Sequence, residues 1–488
     1  MFENLNLKLF LEQFAYDSKA PIIFNSGFFL FAFLFFTLFY YLLRKKDVAR
    51  ILFVTLFSYY FYYKSSGTHF CILAVVSVSD FCIAKIMSKQ NGGWRTVLMT
   101  LSVLIDLSLL AYFKYTNFLI DTWNSLTSST WHSLDIILPV GISFYLFQSL
   151  SYTIDVYRRN IQPLNRLLDY AFYVSFFPQL VAGPIVRARD FIPQIHNPLT
   201  LTQRQFSKAV FLIIAGLIKK AVISDYISLN FVDRVFEQPN LYSGLENLLG
   251  IYGYTLQIYC DFSGYSDMAI GIALLLGYQF PANFNSPYKS ASISEFWRRW
   301  HISLSSWLRD YLYISLGGNR KGRLRTYINL MLTMLLGGLW HGASWNFVCW
   351  GGLHGLLLVI ERAFGIAKKQ YSGVARVVRV FITFNLVAFI WLFFRNSSFD
   401  NSVLMIQRIV TDFKPELFSQ IVTGYMGVMG LILLGYMLHF TPYRLKNFFN
   451  TAFARLPMIV QAVVMIAVVW IVIQVKSSDI QPFIYFQF

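Results

Sequence analysis

"IIFNSGFFLFAFLFFTLFYYLL" (residues 22–43) is an apolar run long enough to cross the hydrocarbon core of a bilayer, which takes about 20 helical residues. A second such run, "MIVQAVVMIAVVWIVIQV" (458–475), lies near the other end of the chain. The 488 residues are 56% hydrophobic and only 13% charged, whereas soluble proteins carry roughly 25% charged residues. The sequence therefore predicts an all-α polytopic membrane protein. The first run is too long for a cleavable signal peptide and lacks a small-residue cleavage site.

Basic residues set the predicted topology. The net charge is +17, and Lys and Arg cluster at 44–50, 321–325, 368–379 and 444–455. Since such residues collect in cytoplasmic loops, they indicate an inner surface rather than a nucleic-acid partner. They place both termini outside the cytoplasm. We expect about eleven spans in a single domain, 1–488, without a soluble domain.

Two apolar segments are interrupted by polar residues. "FFPQLVAGPIVRARDFIPQ" (176–194) contains prolines and a glycine, which predicts a re-entrant segment enclosed by protein or lining a cavity. "YCDFSGYSDMAIGIALLLG" (259–277) places Asp261 and Asp267 at the predicted start of an apolar helix. Intramembrane carboxylates indicate function, but acids in a first turn also complement the helix dipole. The sequence leaves both interpretations open.

The stretch 292–322, "SISEFWRRWHISLSSWLRDYLYISLGGNRKG", begins with an S-x-x-E capping box formed by Ser292 and Glu295. Aromatic and aliphatic residues then recur at helical spacing. This predicts one amphipathic helix that lies at the membrane surface or plugs a cavity, with His301 just past its centre.

Histidines are the candidate acid–base residues. His341 stands in "LLGGLWHGASWNFVCWGGLHG", between Gly338 and Gly342, where a neutral imidazole could act as a general base on a hydroxyl or thiol. The alternative is a histidine that only packs between helices. His354 is interpreted as such a packing residue. No metal site is predicted, because no spaced carboxylate or cysteine accompanies His301 and His341.

Four stretches carry a family resemblance: "LPVGISFYLFQSLSYTIDVYR", "FFPQLVAGPIVRARDFIPQ", "DFSGYSDMAIGIALLLGYQFPANFNSPYKSASISEFWRRWHISLSSWLRDYLYISLGGNRKG" and the His341 segment. They resemble the membrane-bound O-acyltransferase (MBOAT) superfamily, in its bacterial branch of alginate and cell-envelope O-acetyltransferases. The resemblance is dense over 135–360. It implies a ring of tilted helices with re-entrant segments and a central tunnel. It also implies that His341 is the catalytic histidine and that His301 fills the second conserved polar position.

The resemblance implies a cytoplasmic thioester donor, acetyl-CoA, as co-substrate, and no bound cofactor. Four basic residues could contact the phosphates of this donor: Arg320, Lys321, Arg323 and Arg325. The alternative for them is ordinary positive-inside charge.

The last residues, "QPFIYFQF" (481–488), are similar to the C-terminal acyl-acceptor motif of envelope acylation systems. This resemblance implies that the extracytoplasmic tail, 480–488, carries the acyl group as an ester of Tyr485 and passes it to an SGNH-type transferase. Phe483, Phe486 and Phe488 would anchor the tail. An aromatic belt at the membrane interface is the alternative.

The sequence thus predicts a multi-pass inner-membrane O-acetyltransferase that modifies an extracytoplasmic polysaccharide. Within the family, the alternative is direct acyl transfer to a lipid or a small acceptor, with a structural tail. From a different class, the alternative is a secondary transporter, although no internal repeat supports it.

Overall fold

A computed structural model describes residues 12–18, 21–197 and 199–475. The predicted acceptor tail, with Tyr485 and its three phenylalanines, lies outside these residues. Throughout the described part, every regular element is helical. This confirms the predicted all-α class.

The chain divides into two compact units. The first covers 1–202 and 272–280, and the second covers 203–271 and 281–488, each within the described residues. The helices of the first unit are α1 (Gly27–Leu42), α2 (Asp47–Ser66), α3 (Phe70–Ser88), α4 (Gly93–Leu110), α5 (Thr116–Thr127), α6 (Ile142–Tyr157), α7 (Leu167–Ser175), α8 (Phe177–Leu180) and α9 (Ala188–Phe191).

The second unit begins with α10 and contains most of the 32-residue helix α13, whose last residues belong to the first unit. Its helices are α10 (Gln203–Leu217), α11 (Asp225–Ile227), α12 (Asp233–Glu237), α13 (Gly244–Leu275), α14 (Ile293–Trp297), α15 (Ile302–Trp307), α16 (Gly322–His341), α17 (Trp345–Ala363), α18 (Gly373–Arg395), α19 (Phe399–Thr411), α20 (Phe418–Gly424), α21 (Met426–Phe440), α22 (Tyr443–Arg455) and α23 (Met458–Val475).

Several of these helices could cross a membrane. In the described ranges, four stretches are long and apolar enough, and a bent pair adds a fifth if it is counted as one span. The four stretches are Asp47–Ser88, Gly93–Thr127, Gly373–Arg395 and Met458–Val475, and the bent pair is Pro415–Gly424 with Met426–Phe440. Many other helices are short or interrupted, so the count of about eleven spans stays a prediction.

The interrupted segment 176–194 is broken as predicted. The short helix α8 ends at Leu180, irregular backbone follows, and α9 begins at Ala188. All residues from 176 to 188 are buried inside the first unit. Protein therefore encloses the irregular backbone, as a broken membrane segment requires.

Two predictions about helix starts are wrong. Asp261 and Asp267 lie in the middle of α13, which begins at Gly244, so they do not complement the dipole of a first turn. The amphipathic helix around His301 is two helices, α14 and α15, separated at 298–301. His301 itself has a φ of 42°, in the left-handed region that ends regular helix.

The helices α16 and α17 pack against each other at backbone distance. A Cβ on Gly338 would lie 2.2 Å from the carbonyl oxygen of Phe347, and a Cβ on Gly351 would lie 2.4 Å from that of Met334. Only glycine fits at either position. The glycines of "LLGGLWHG" thus permit the close approach, and Gly342 ends α16 directly after His341.

We expect Gly338→Ala to destabilise the protein by about 1–3 kcal/mol, because the new methyl group would force α16 and α17 apart. The measurement is the midpoint of thermal unfolding of the purified protein in detergent. Gly430→Ala is the matched control, since no heavy atom lies within 4 Å of a Cβ there. Equal midpoints for the two variants would contradict the close approach.

Candidate active site

His341 is the last residue of α16 and is 4% exposed. Aromatic rings surround its imidazole, with centroid distances of 4.9 Å to Trp340, 5.0 Å to Trp350 and 5.2 Å to Phe394. Trp350 lies on α17, and Phe394 lies near the end of α18. The rings form an aromatic wall around an imidazole, the group that most often acts as a general base in proteins.

His301 is completely buried and lies next to a small polar cluster. Its Nδ1 is 3.2 Å from Oδ1 of Asn283, and the hydroxyl of Ser303 donates to the same amide oxygen at 2.9 Å. The backbone N–H of Ser303 also donates to it, at 3.2 Å. Asn283 thus fixes the turn that carries His301 and orients its ring. Asn283 could not be predicted as a site residue, because it lies in a polar loop without a periodic pattern.

The two predicted site histidines share one neighbour. The ring of Trp340 is 6.1 Å from that of His301 and 4.9 Å from that of His341. Phe262 of α13 packs edge-on against His301 at 4.6 Å. The second unit therefore brings both histidines to the same aromatic cluster, although 40 positions separate them in the sequence.

The basic residues at the start of α16 lie far from these histidines. Arg320, Lys321, Arg323 and Arg325 are all exposed. Since α16 rises about 1.5 Å per residue, Arg323 lies roughly 27 Å along the helix from His341. They cannot contact the reacting groups directly.

Two cavities of about 420 Å³ each lie near this end of α16, and Ala367 lines both. Of the four predicted donor-binding residues, Arg323 lines one of them. Four further basic residues line the cavities: Arg298, Arg362, Lys369 and Arg376. Sequence reasoning missed these four because such residues also occur as ordinary positive-inside charge.

The acidic residues of these cavities are engaged by protein groups. The predicted helix start at Ser292 is confirmed, since its hydroxyl accepts from the N–H of Glu295 at 3.0 Å, while the carboxylate of Glu295 accepts from the N–H of Ala291 rather than from that of Ser292. Burial raises the pKa of Glu295, but the N–H of Ala291 and the guanidinium groups of Arg299 and Arg376 outweigh it and hold the pKa below its usual range.

Glu361 accepts hydrogen bonds from the backbone N–H groups of Ile293 and Ser294, at 2.5 and 2.9 Å. Its carboxylate therefore holds the start of α14.

Asp261 and Asp267 pair with lysines of the π-helical turn Ile218–Ser224. Lys220 lies 2.5 Å from Asp261 and 2.8 Å from Asp225, and Lys219 pairs with Asp267. A buried ion pair of this kind fixes α13 against its neighbour. The ion pairs give both carboxylates a structural role, and a functional role for them stays a prediction.

Most of the chain is similar to known proteins. The sequence profile of MBOAT, the membrane-bound O-acyltransferase family, matches residues 56–399. The chain is 44% identical over 388 residues to the probable alginate O-acetylase AlgI of Pseudomonas syringae pv. tomato, covering 77% of this chain and 73% of that protein. It is 38% identical over 501 residues to the protein of the same name in Pseudomonas putida, covering 96% and 100%.

A relative with a different named acceptor is the peptidoglycan O-acetyltransferase of Helicobacter pylori. It is 37% identical over 421 residues, which cover 80% of each chain. The match of the family profile includes His301, His341 and the cavity residues up to Arg376.

We expect Lys220→Met to destabilise the protein by about 3–5 kcal/mol, because it leaves the buried carboxylates of Asp225 and Asp261 without their cation. Thermal unfolding in detergent measures the change. The control is Lys414→Met, which removes a half-exposed ion pair with Asp412 and should cost less than about 1 kcal/mol. If Lys220→Met unfolds no more easily than the control, the pair contributes nothing to stability.

Proposed function

Since the chain belongs to the membrane-bound O-acyltransferase family and is an O-acyltransferase, we propose that it transfers an acetyl group from cytoplasmic acetyl-CoA for the O-acetylation of an extracytoplasmic polysaccharide. The observation that carries the proposal is His341, a buried imidazole that closes α16 inside an aromatic wall. The family assignment sets the transporter alternative aside. The names of the relatives favour a polysaccharide acceptor over a lipid.

In the proposed reaction, neutral His341 takes the proton of an acceptor hydroxyl while the hydroxyl oxygen attacks the thioester carbonyl. The tetrahedral oxyanion then collapses, the carbon–sulfur bond breaks, and the thiolate leaves with the proton that His341 held. His301 stabilises the oxyanion or orients the reactants. A hydrogen bond to developing charge is worth most in a water-excluded site, and both histidines are buried in such surroundings.

We place the phosphates of acetyl-CoA in the two basic cavities. Arg323, from the predicted donor-binding group, is supplemented there by Arg298 and Arg362. The basic clusters at 321–325 and 368–379 border the cavities and, by the positive-inside rule, face the cytoplasm. Arg320, Lys321 and Arg325 act at longer range in this proposal, by raising the local concentration of the anionic donor.

For the acceptor we propose Tyr485 of the C-terminal tail, from which an extracytoplasmic SGNH-type partner moves the acetyl group to the polymer. A phenol has a pKa near 10, so its ester is more reactive than that of an ordinary alcohol. The anchoring role of Phe483, Phe486 and Phe488 belongs to the same proposal. In the alternative, an acceptor enters the site itself and the tail is structural.

The test is peptide mapping after incubation of the purified protein with labelled acetyl-CoA. We expect the label on Tyr485 in the wild type and none there in His341→Ala or Tyr485→Phe. A wild-type tail that stays unlabelled, together with polymer that is still acetylated in Tyr485→Phe cells, would refute the carrier step and favour direct transfer.

A second prediction concerns His301. We expect His301→Ala to lower the rate of acetyl transfer by about 10²-fold, because Nδ1 donates to Asn283 and leaves Nε2 as a hydrogen-bond acceptor that orients the acceptor hydroxyl. Asn283→Leu should lower it by about tenfold, since it removes one hydrogen bond that orients the ring. The control is Ser305→Ala, since the Ser305 hydroxyl donates to the nearby carbonyl of Trp300, and the rate should stay within about twofold of the wild type. An active His301→Ala would remove the residue from the mechanism.

A further inference from the structure

His354, on α17, occupies an aromatic box in the second unit. Its imidazole is fully buried and lies 4.9 Å from the ring of Trp350, 5.1 Å from that of Trp297 and 6.0 Å from that of Phe296, to which it is parallel. Among the residues that the structure describes, neither of its ring nitrogens has a hydrogen-bond partner. A packing histidine between helices would normally bond at least one of them.

The walls of the box contain two further polar atoms that are buried and lack a hydrogen-bond partner in the described part of the chain. They are the indole nitrogens of Trp297 and Trp350. A buried donor or acceptor without a partner costs about 1–3 kcal/mol. Together the three side chains offer three N–H donors and, on the neutral imidazole, one acceptor.

The box lies between the basic cavities and His341. Trp297 belongs to α14, whose Glu295 and Arg298 line one cavity. Trp350 contacts the rings of both His354 and His341. A ligand that extends from the cavities to His341 along α17 would therefore pass this box.

The distance from the cavity wall to Trp350 agrees with the length of such a ligand. Arg362, in the cavity wall, is twelve residues from Trp350, a rise of about 18 Å along α17. The pantetheine arm of a thioester donor has about as many backbone bonds as five residues, so it reaches roughly 17 Å when extended. It carries two secondary amides, each with one N–H and one C=O.

We infer that His354, with the indole N–H groups of Trp297 and Trp350, binds the amides of the pantetheine arm of the donor. This inference rests on the proposed function and deepens it. The two indole N–H groups and the protonated ring nitrogen donate to the amide carbonyls, and the other ring nitrogen accepts an amide N–H. His354 thereby becomes a binding residue rather than the packing residue that the sequence suggested.

The test uses the full-length protein in nanodiscs and three acetyl donors: acetyl-CoA, acetyl-pantetheine and an acetyl-pantetheine in which the amide nearest the sulfur is an ester. A single hydrogen bond is worth up to about 1.5 kcal/mol, which corresponds to about tenfold. We expect the wild type to lose about tenfold in kcat/KM with the ester analogue.

His354→Leu should lower kcat/KM for acetyl-pantetheine by a similar factor, mainly by raising KM. The variant should no longer distinguish the amide donor from the ester donor. His354→Asn keeps a donor and an acceptor and should restore part of the distinction. Leu356→Met, on the exposed side of α17, is the matched control and should behave as the wild type.

An acetylated acyl carrier protein, which presents the same arm, is added as a fourth donor. If it is used and acetyl-CoA is not, the arm is still recognised but its source is the carrier protein. If the wild type does not distinguish amide from ester, or if His354→Leu distinguishes them equally well, the inference is wrong while the proposed function stands. If no pantetheine thioester donates acetyl to the wild type, the proposed function itself fails.

Discussion

The close approach of α16 and α17 is the constraint on which the candidate site depends. Gly338 and Gly351 each face a backbone carbonyl of the other helix at a distance that excludes a Cβ. Because the two backbones lie so close, side chains next to these glycines meet across the hairpin. Trp350 reaches His341 for this reason, and Gly342 then turns the chain directly after the histidine.

The buried ion pairs and the buried histidines of the second unit have different surroundings. Lys220 and its two aspartates are charged groups that satisfy one another, and such pairs hold helices in register at little net gain in stability. The imidazoles of His341 and His354 lie among aromatic rings of the same unit. These surroundings distinguish the two histidines from the ion-paired lysine and aspartates.

Much of the fold could be predicted from the sequence, because it depends on local sequence patterns. The helical class, the broken segment 176–194 and the helix start at Ser292 all follow from hydropathy and from the special roles of Pro, Gly and Ser. The break at His301 could not be predicted in this way. The hydrophobic period runs through it, whereas the tertiary hydrogen bonds of Asn283 favour the left-handed turn.

The ion pairs of Asp261 and Asp267 could not be predicted either, since their lysine partners lie about 40–50 residues earlier in the sequence on another helix.

A role for the basic cavity residues was also hard to predict from the sequence, because basic side chains occur both as positive-inside charge and in binding sites. Here the acidic residues separate the two roles. Glu361 is held by two backbone N–H groups, and Glu295 binds Arg299 and Arg376. With both carboxylates engaged, the basic side chains that line the cavities exceed the acid available to neutralise them. Such an excess favours the anionic donor that we propose, because a cavity lined by one sign of charge raises the local concentration of ions of the opposite sign.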